Sequence, residues 1–528
     1  MFGLQSSLAV IAIAISVVSA APSVSQNPVF STTCEGKSYT YNELAGYGFV
    51  PSDARDKFGD TISLGSSIAF ASWSKKGSKY EGKLFGLPDR GWNTQGTINF
   101  QPRIHEFHVT LTPAPGATTA KPSPPNVAFV YKDSILLTGP DGKPMTGLDA
   151  DQTGGLKYPG FPILPAATYT GNGFGGPGEG GKRVTLDPEA LVLAKDGGFW
   201  ISDEYGPYIY KFNKKGKMIA ATAPPDALLP LRNGTVSFAS NNPPTYDPSR
   251  QPTPTNPTQG RQNNQGFEGM TISPDGKSLW VLLQSAARQD GGSNASSRRY
   301  TRLLKYSLKN CKGGKQAAVY KAEYVVPLPT FKDATGKTLV AAQSEMHFVS
   351  DTQFFFLPRD SGNGHGLSST ESIYRHVDIF DISKATNVKG PTHDTFNASI
   401  ASAAGVLNAD ITPATVCPFI DFNINAQLNR FGLHNGGPQD GGLLNEKWEG
   451  IALVPEKGEI GADKHAGDEY FLFAASDNDF ITQNGFMNFG KIPYSDKSGF
   501  NADNQMLVFK VTLPKGTYYH FYLFTKSV

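Results

Sequence analysis

Cysteine is scarce: Cys34, Cys311 and Cys417 are the only three among 528 residues. This excludes a disulfide-built scaffold and the paired-cysteine spacings of zinc and redox sites. At most one intrachain disulfide can form; the pairing stays open, and the odd thiol is free to be a buried apolar group. Long hydrophobic runs are scarce too. The one near the start, Leu8 to Val18, is too short to span a bilayer comfortably and precedes the small residues Ser19, Ala20 and Ala21. Residues 1–20 therefore read as a secretory signal peptide, with an uncleaved anchor as the alternative. No later stretch approaches the roughly 20 apolar residues of a membrane helix. A mature chain 21–528 is expected to form one domain, with its core about 53–513, acting as a monomer outside the cell or at its wall. Charge of one sign is lacking as well. A net charge of +2 without a basic tract argues against nucleic acid or an anionic membrane surface as partner.

What the chain has is glycine (57), proline (38), phenylalanine (34) and tyrosine (21), without a long helical apolar period after the start. Short strands separated by turns are the natural reading, as in SLWVLLQ (278–284), TQFFFLP (352–358), EYFLFAAS (469–476) and MLVFKVTL (506–513). A loose unit recurs: an acidic residue, an apolar strand, a turn, then a strand ending in polar residues. Its best copies are 187–217 and 266–308, with weaker ones at 344–382, 447–513 and 66–111. VAFVYKDSILLTG (127–139) offers strands for a sixth. Radial repetition of such units predicts an all-β, β-propeller-like fold of six blades, with five or seven as the alternatives. Pro/Gly-rich insertions at 112–126, 158–181 and 241–265 are expected to be surface loops, some folding over one face. Sequons at Asn233, Asn294 and Asn397 are candidate glycosylation sites.

Several motifs fail on inspection. Gly171-x-Gly173-x-x-Gly176 neither follows a clear strand nor opens a clear helix, and the P-loop-like spacing to Lys182 is followed by Arg183, which has no hydroxyl for magnesium. His105 and His108 lack the spacing that sets two imidazoles on one helix face. Neither a Gly-x-Ser-x-Gly elbow nor an Arg-His-Gly nucleophile is present.

The acidic residues of the repeat carry the chemistry. Glu189, Glu268, Glu345 and Glu449 each precede an apolar strand. If those strands are innermost in their blades, the four carboxyls converge on one axis and repel unless cations bind or protons stay on. A second polar set closes the following strands: Asp89 and Arg90, Asp203 and Glu204, Gln284, Arg359 and Asp360, and Asp477 with Asn478 and Asp479. Hard oxygen donors in this number suit calcium better than zinc. Glu189, Glu268, Glu345, Glu449, Asp89, Asp203, Asp477 and Asp479 are the expected metal ligands. Arg90 and Arg359, with Glu204 and Asp360, are the expected catalytic groups acting on a small anionic or ester substrate, and Lys447 is a further cation beside them. The bland alternative is that these carboxyls only cap turns and bond neighbouring blades.

At the same residues the chain resembles the phytase-like family, described as having esterase-like activity of phytase. The shared words are LPDRGWN (87–93), DPEAL (187–191), FWISDEYGPYIYKF (199–212), GFEGMTISPDGKSLW (266–280), LLQSA (282–286), KWEGIALVP (447–455) and SDND (476–479). The resemblance implies a propeller-like fold and an esterase or phosphate-ester activity, with calcium expected by analogy to β-propeller phytases. The expected function is a secreted phosphoric-ester hydrolase with calcium assisting water. A carboxylic-ester or lactone hydrolase, and a non-catalytic binding propeller with structural calcium, are the alternatives.

Overall fold

The computed structural model describes residues 27–310, 316–458 and 468–517. Residues 1–20, read as a signal peptide, and Cys311 lie outside them. The apolar alternation of the chain resolves into five antiparallel blades. Blade 1 runs outward through Ser67–Lys76, Lys79–Leu87, Arg103–Leu111 and Val127–Leu136. Blade 2 runs through Pro188–Leu193, Phe199–Asp203, Ile209–Phe212 and Met218–Thr222. Blade 3 comprises Phe267–Ile272, Ser278–Leu283, Tyr300–Asn310 and Gln316–Pro327, and blade 4 Ala342–Phe348, Gln353–Arg359, His376–Asp381 and Thr415–Asp421.

Blade 5 takes strands from both ends of the chain. Lys447–Pro455, Glu469–Asp477 and Asn504–Thr512 are followed outward by Lys37–Val50 and Phe30–Cys34. The five innermost strands contact one another in a closed ring, blade 5 meeting blade 1. A radial sheet hides its faces against its neighbours, and aromatic rings fill these seams: Phe70 meets Phe473 at 4.9 Å, Phe85 meets Phe199 at 5.6 Å and Trp280 meets Phe354 at 5.0 Å.

The expected sixth blade does not form. Val127–Leu136 pairs antiparallel with Arg103–Leu111 and completes blade 1 as its outer strand, because the mostly exposed connection 112–126 returns the chain to the same sheet and does not cross to another blade. The other Pro/Gly-rich insertions behave as expected. The 241–265 segment lies against the face carrying the strand ends: Asp149 accepts from the Ser240 and Asn242 N–H groups at 2.7 and 2.8 Å, and Thr97 bridges to Pro244. The sequon asparagines Asn233, Asn294 and Asn397 are exposed.

Cys34 and Cys417 form the disulfide that cysteine counting allowed but did not assign. It ties the outermost strand of blade 5 to the outermost strand of blade 4 across a sequence separation of 383 residues. The N-terminal strands are thereby held on the ring they close. Replacing both cysteines by alanine is expected to lower stability by about 2–4 kcal/mol and to expose the 30–50 segment to proteolysis first. A melting temperature and cleavage pattern identical to those of the wild type would contradict this role.

Candidate functional site

The innermost strands deliver their first residues to one end of the axis, and the strand pairing slips there. Register shifts fall at Pro188–Leu191, Phe267–Met270, Gln343–Met346 and Trp448–Gly450. A bulge breaks the strict alternation of side chains and re-aims one of them. Glu189, Glu268 and Glu449 each follow the last paired residue, Pro188, Phe267 and Trp448 respectively.

Blade 4 departs from this register. Ser344 follows the paired Gln343, and Glu345 comes one residue later. The expectation of four matched glutamates is therefore corrected to three. Glu345 instead crosses the channel: it accepts from Ser67 Oγ at 2.5 Å, from its own strand at the Met346 N–H at 2.9 Å and from the Met270 N–H of blade 3 at 3.2 Å. It borders a narrow cavity of about 50 Å³ lined by Ile68, Leu191, Met270 and Ile451, and burial pushes its carboxyl up to about 8. A one-residue slip in an irregular stretch leaves no mark in the hydrophobic pattern, so sequence reading missed it.

The convergent site is built by blades 1, 2 and 3. Asp89, Asp187 and Glu189 offer carboxylate oxygens that all lie within 4.8 Å of one another, and Glu189, Glu204 and Glu268 form a second such group. All five residues are buried. Asp187 Oδ1, both oxygens of Glu204 and Glu268 Oε2 have no hydrogen-bond partner among the described residues. Gly266 permits this approach, since a Cβ there would stand 2.3 Å from the Glu204 carbonyl oxygen. Asp187 was legible in DPEAL, but sequence reading chose only its glutamate.

Three cations partly offset the crowding. Arg90 Nη1 donates to Asp187 and, at 2.6 Å, to Asn264 Oδ1 of the 241–265 insertion, while its guanidinium faces the Tyr205 ring. Arg359 Nη2 donates to Glu449 Oε1 at 2.5 Å and its Nε to Ser344 Oγ at 3.3 Å. Lys447 Nζ lies 2.8 Å from Asp479 Oδ1, 3.5 Å from Asp89 Oδ2 and 3.6 Å from Glu449 Oε2. Gln284 donates to Glu268 Oε1. Asp479 adopts φ +50° and Phe480 φ +56°, a conformation side chains resist, and the Asp479 N–H bond to Asp477 Oδ1 at 2.7 Å helps hold it.

Other residues of the expected site are occupied elsewhere. Asp203 accepts from the N–H groups of Asp187, Tyr205 and Gly206 and from the Tyr210 hydroxyl, as a turn cap does. Asp477 accepts from the Ser63 and Ser66 hydroxyls at 2.9 and 2.8 Å. Asp360 turns away from the axis, accepting from Ser372 Oγ and the Ile373 N–H, both at 2.7 Å, and from Asn363 Nδ2. These groups position neighbouring backbone and offer few free lone pairs.

Burial, reinforced by neighbouring carboxylates, drives Glu189 and Glu268 far above the usual carboxylate range, and burial does the same for Asp187 against the pull of Arg90. Burial lifts Glu204 and Asp479 to about 7 despite Arg90 and Lys447 respectively. Asp89 is the exception: burial opposes ionisation, but Lys447 and Arg90 hold its carboxyl well below the usual range.

A carboxyl whose folded pKa lies above its unfolded value binds a proton in the folded state at pH values where the unfolded chain has lost it. Stability from such a group is full below about pH 4.5 and falls as the pH rises through the folded pKa. In a divalent-free buffer the melting temperature is therefore expected to fall between about pH 5 and 8, the window spanned by Glu204, Asp479 and Glu345. The effect of Asp89 lies at lower pH. A melting temperature that rises or stays flat across this window would contradict the crowding.

Comparison with known proteins agrees with the words shared by these strands. A protein of Arthroderma benhamiae described as an uncharacterized secreted protein is 51% identical over 467 residues, covering 87% of this chain and 90% of that one. Among solved structures, a luciferin-regenerating enzyme aligns over 90% of this chain and 98% of its own at 10% identity and a TM-score of 0.26. A gluconolactonase of Xanthomonas campestris aligns over 86% and 98% at 9% identity and a TM-score of 0.22. The family described as phytase-like, esterase-like activity of phytase, matches residues 78–480, and the chain belongs to that family.

Proposed function

We propose that this protein is a secreted, calcium-dependent ester hydrolase acting on phosphoric esters. The observation that carries the reading is the pair of buried carboxylate groups sharing Glu189, with four oxygens left unpartnered at one end of the propeller axis. Carboxylates in this number are costly without a counter-charge, and an all-oxygen donor set suits a hard cation of calcium's type. Asp89, Asp187, Glu189 and Glu268 would hold it. Calcium bound there supplies a Lewis acid for a phosphoryl oxygen and for water.

The remaining roles fall to the chain's own side chains. Glu204, with neither oxygen hydrogen-bonded, accepts the proton of the attacking water as its oxygen bonds to phosphorus and the bond to the leaving alkoxide breaks. Arg90, fixed by Asp187 and Asn264, and Arg359, fixed by Glu449, hold positive charge beside the reacting group. Lys447 keeps Asp89 ionised and ready to accept. Secretion is supported by the description of the 51% identical relative, and among the described residues no helix is long and apolar enough to cross a membrane. The exposed sequons would carry glycans.

One observation favours a carboxylic-ester or lactone substrate instead. Arg90, Arg359 and Lys447 are each already paired with carboxylates, so none is left over for a phosphoryl dianion, whereas a neutral carbonyl asks for less charge. Turnover of 4-nitrophenyl phosphate and 4-nitrophenyl acetate, with calcium and with a chelator, separates the two. Phosphate release that calcium restores after chelation is expected, and Glu204→Gln is expected to lower kcat by about a hundredfold or more. Phosphatase activity indifferent to chelation would sink the calcium role, and acetate turnover alone would select the rival.

A further inference from the structure

Beside the acid site lies a second feature that the hydrolytic residues do not use. A cavity of about 510 Å³, within the range of small-molecule sites, is formed between the 330–340 hairpin and the loop that follows Arg359. Phe331, Leu339, Val340 and Ile373 give it apolar walls, and Ile373, 45% exposed, shows that it reaches solvent. Arg359 joins the two places. Its guanidinium reaches Glu449 at the axis, while the next residue, Asp360, stands in the cavity wall.

The charge in this cavity is unlike that of a phosphate-binding pocket. Arg298 is the cation of its lining, whereas Asp333, Asp360 and Glu371 are acidic. The acids are held in place: Asp333 accepts from the Thr335 and Lys337 N–H groups, and Asp360 from Ser372, Ile373 and Asn363. A polyphosphate would meet three carboxylates and one arginine. Arg298 itself is incompletely used, because its guanidinium makes one long bond, from Nη2 to the Val340 carbonyl at 3.4 Å. An acceptor oxygen on a ligand in the cavity would satisfy the remaining terminal N–H groups.

We propose that the cavity receives the organic group of the ester, an uncharged apolar moiety of aromatic-ring size with an acceptor oxygen for Arg298, so that the enzyme prefers such monoesters to polyphosphorylated substrates. The inference rests on the ester-hydrolase reading. It selects among esters by the part of the substrate that does not react, and binding energy gained there can be spent on the reacting bond.

The test compares kcat/KM for 4-acetylphenyl, 4-ethylphenyl and methyl phosphates and for phytate, or the matching acetates if phosphates are not turned over. Ala334→Trp, on the exposed tip of the hairpin, fills the cavity and is expected to lower the ratio of 4-acetylphenyl to methyl ester at least tenfold. Arg298→Met is expected to lower the ratio of 4-acetylphenyl to 4-ethylphenyl ester three- to tenfold. Unchanged ratios in folded variants, or phytate turned over faster than the aryl phosphates, would overturn the proposal. If no ester is hydrolysed, the ester reading fails, and calorimetric titration with 4-hydroxyacetophenone decides the cavity by itself. Binding weakened tenfold by Ala334→Trp would keep the cavity as a site for this class of ligand. No binding by the wild type, or equal binding by the variant, would remove it.

Discussion

The structure depends on a crowd of carboxyls held out of water at one end of the propeller axis. Asp89, Asp187, Glu189, Glu204 and Glu268 stand close enough for each charge to raise the cost of the next, and burial raises all of them. Arg90, Arg359 and Lys447 compensate from the rim, and each is held by its own acidic partner. A fold that only needed stability would replace such a cluster by apolar side chains. Buried and convergent, such a cluster calls for positive charge, and the proposed calcium role rests on that.

Ring closure and irregular pairing are the means by which distant residues reach that point. The N-terminal strands complete the last blade, and the Cys34–Cys417 disulfide secures them to its neighbour, so the five inner strands cannot spread apart easily. Within the ring, a bulge at the head of each acidic strand turns a glutamate inward. The long insertion at 241–265 then lays Asn264 against Arg90, making a loop part of the site's wall. The cavity beyond Arg359 stands apart from this cluster, with Phe331, Leu339, Val340 and Ile373 among its walls and Arg298 as its cation.

Much of this was legible in the chain. Strand-length apolar runs, turn residues and the repeated glutamates led to the propeller, and GFEG and DPEAL led to residues that do converge. The blade count was not legible, because Val127–Leu136 has the pattern of any outer strand and its partner depends on a hairpin loop that periodicity does not read. Glu345 was misplaced because register within a bulge depends on local backbone geometry and not on side-chain type. In a one-dimensional string Asp203 and Asp477 look like ligands and Asp360 like a catalytic group. In space, neighbouring N–H groups and hydroxyls have already taken their oxygens. Asp187 is different: it lies just before the strand, two positions ahead of Glu189, and its carboxylate still reaches the same site.

The central claim is that Asp89, Asp187, Glu189 and Glu268 form one cation site, with Glu345 serving only to brace the channel. Calorimetric titration of calcium into the divalent-free protein tests it most directly, with Glu268→Gln compared against Glu345→Gln. Binding by the wild type, weakened at least tenfold in Glu268→Gln and changed less than threefold in Glu345→Gln, is the result expected. No calcium binding, or equal losses in both variants, would contradict the account.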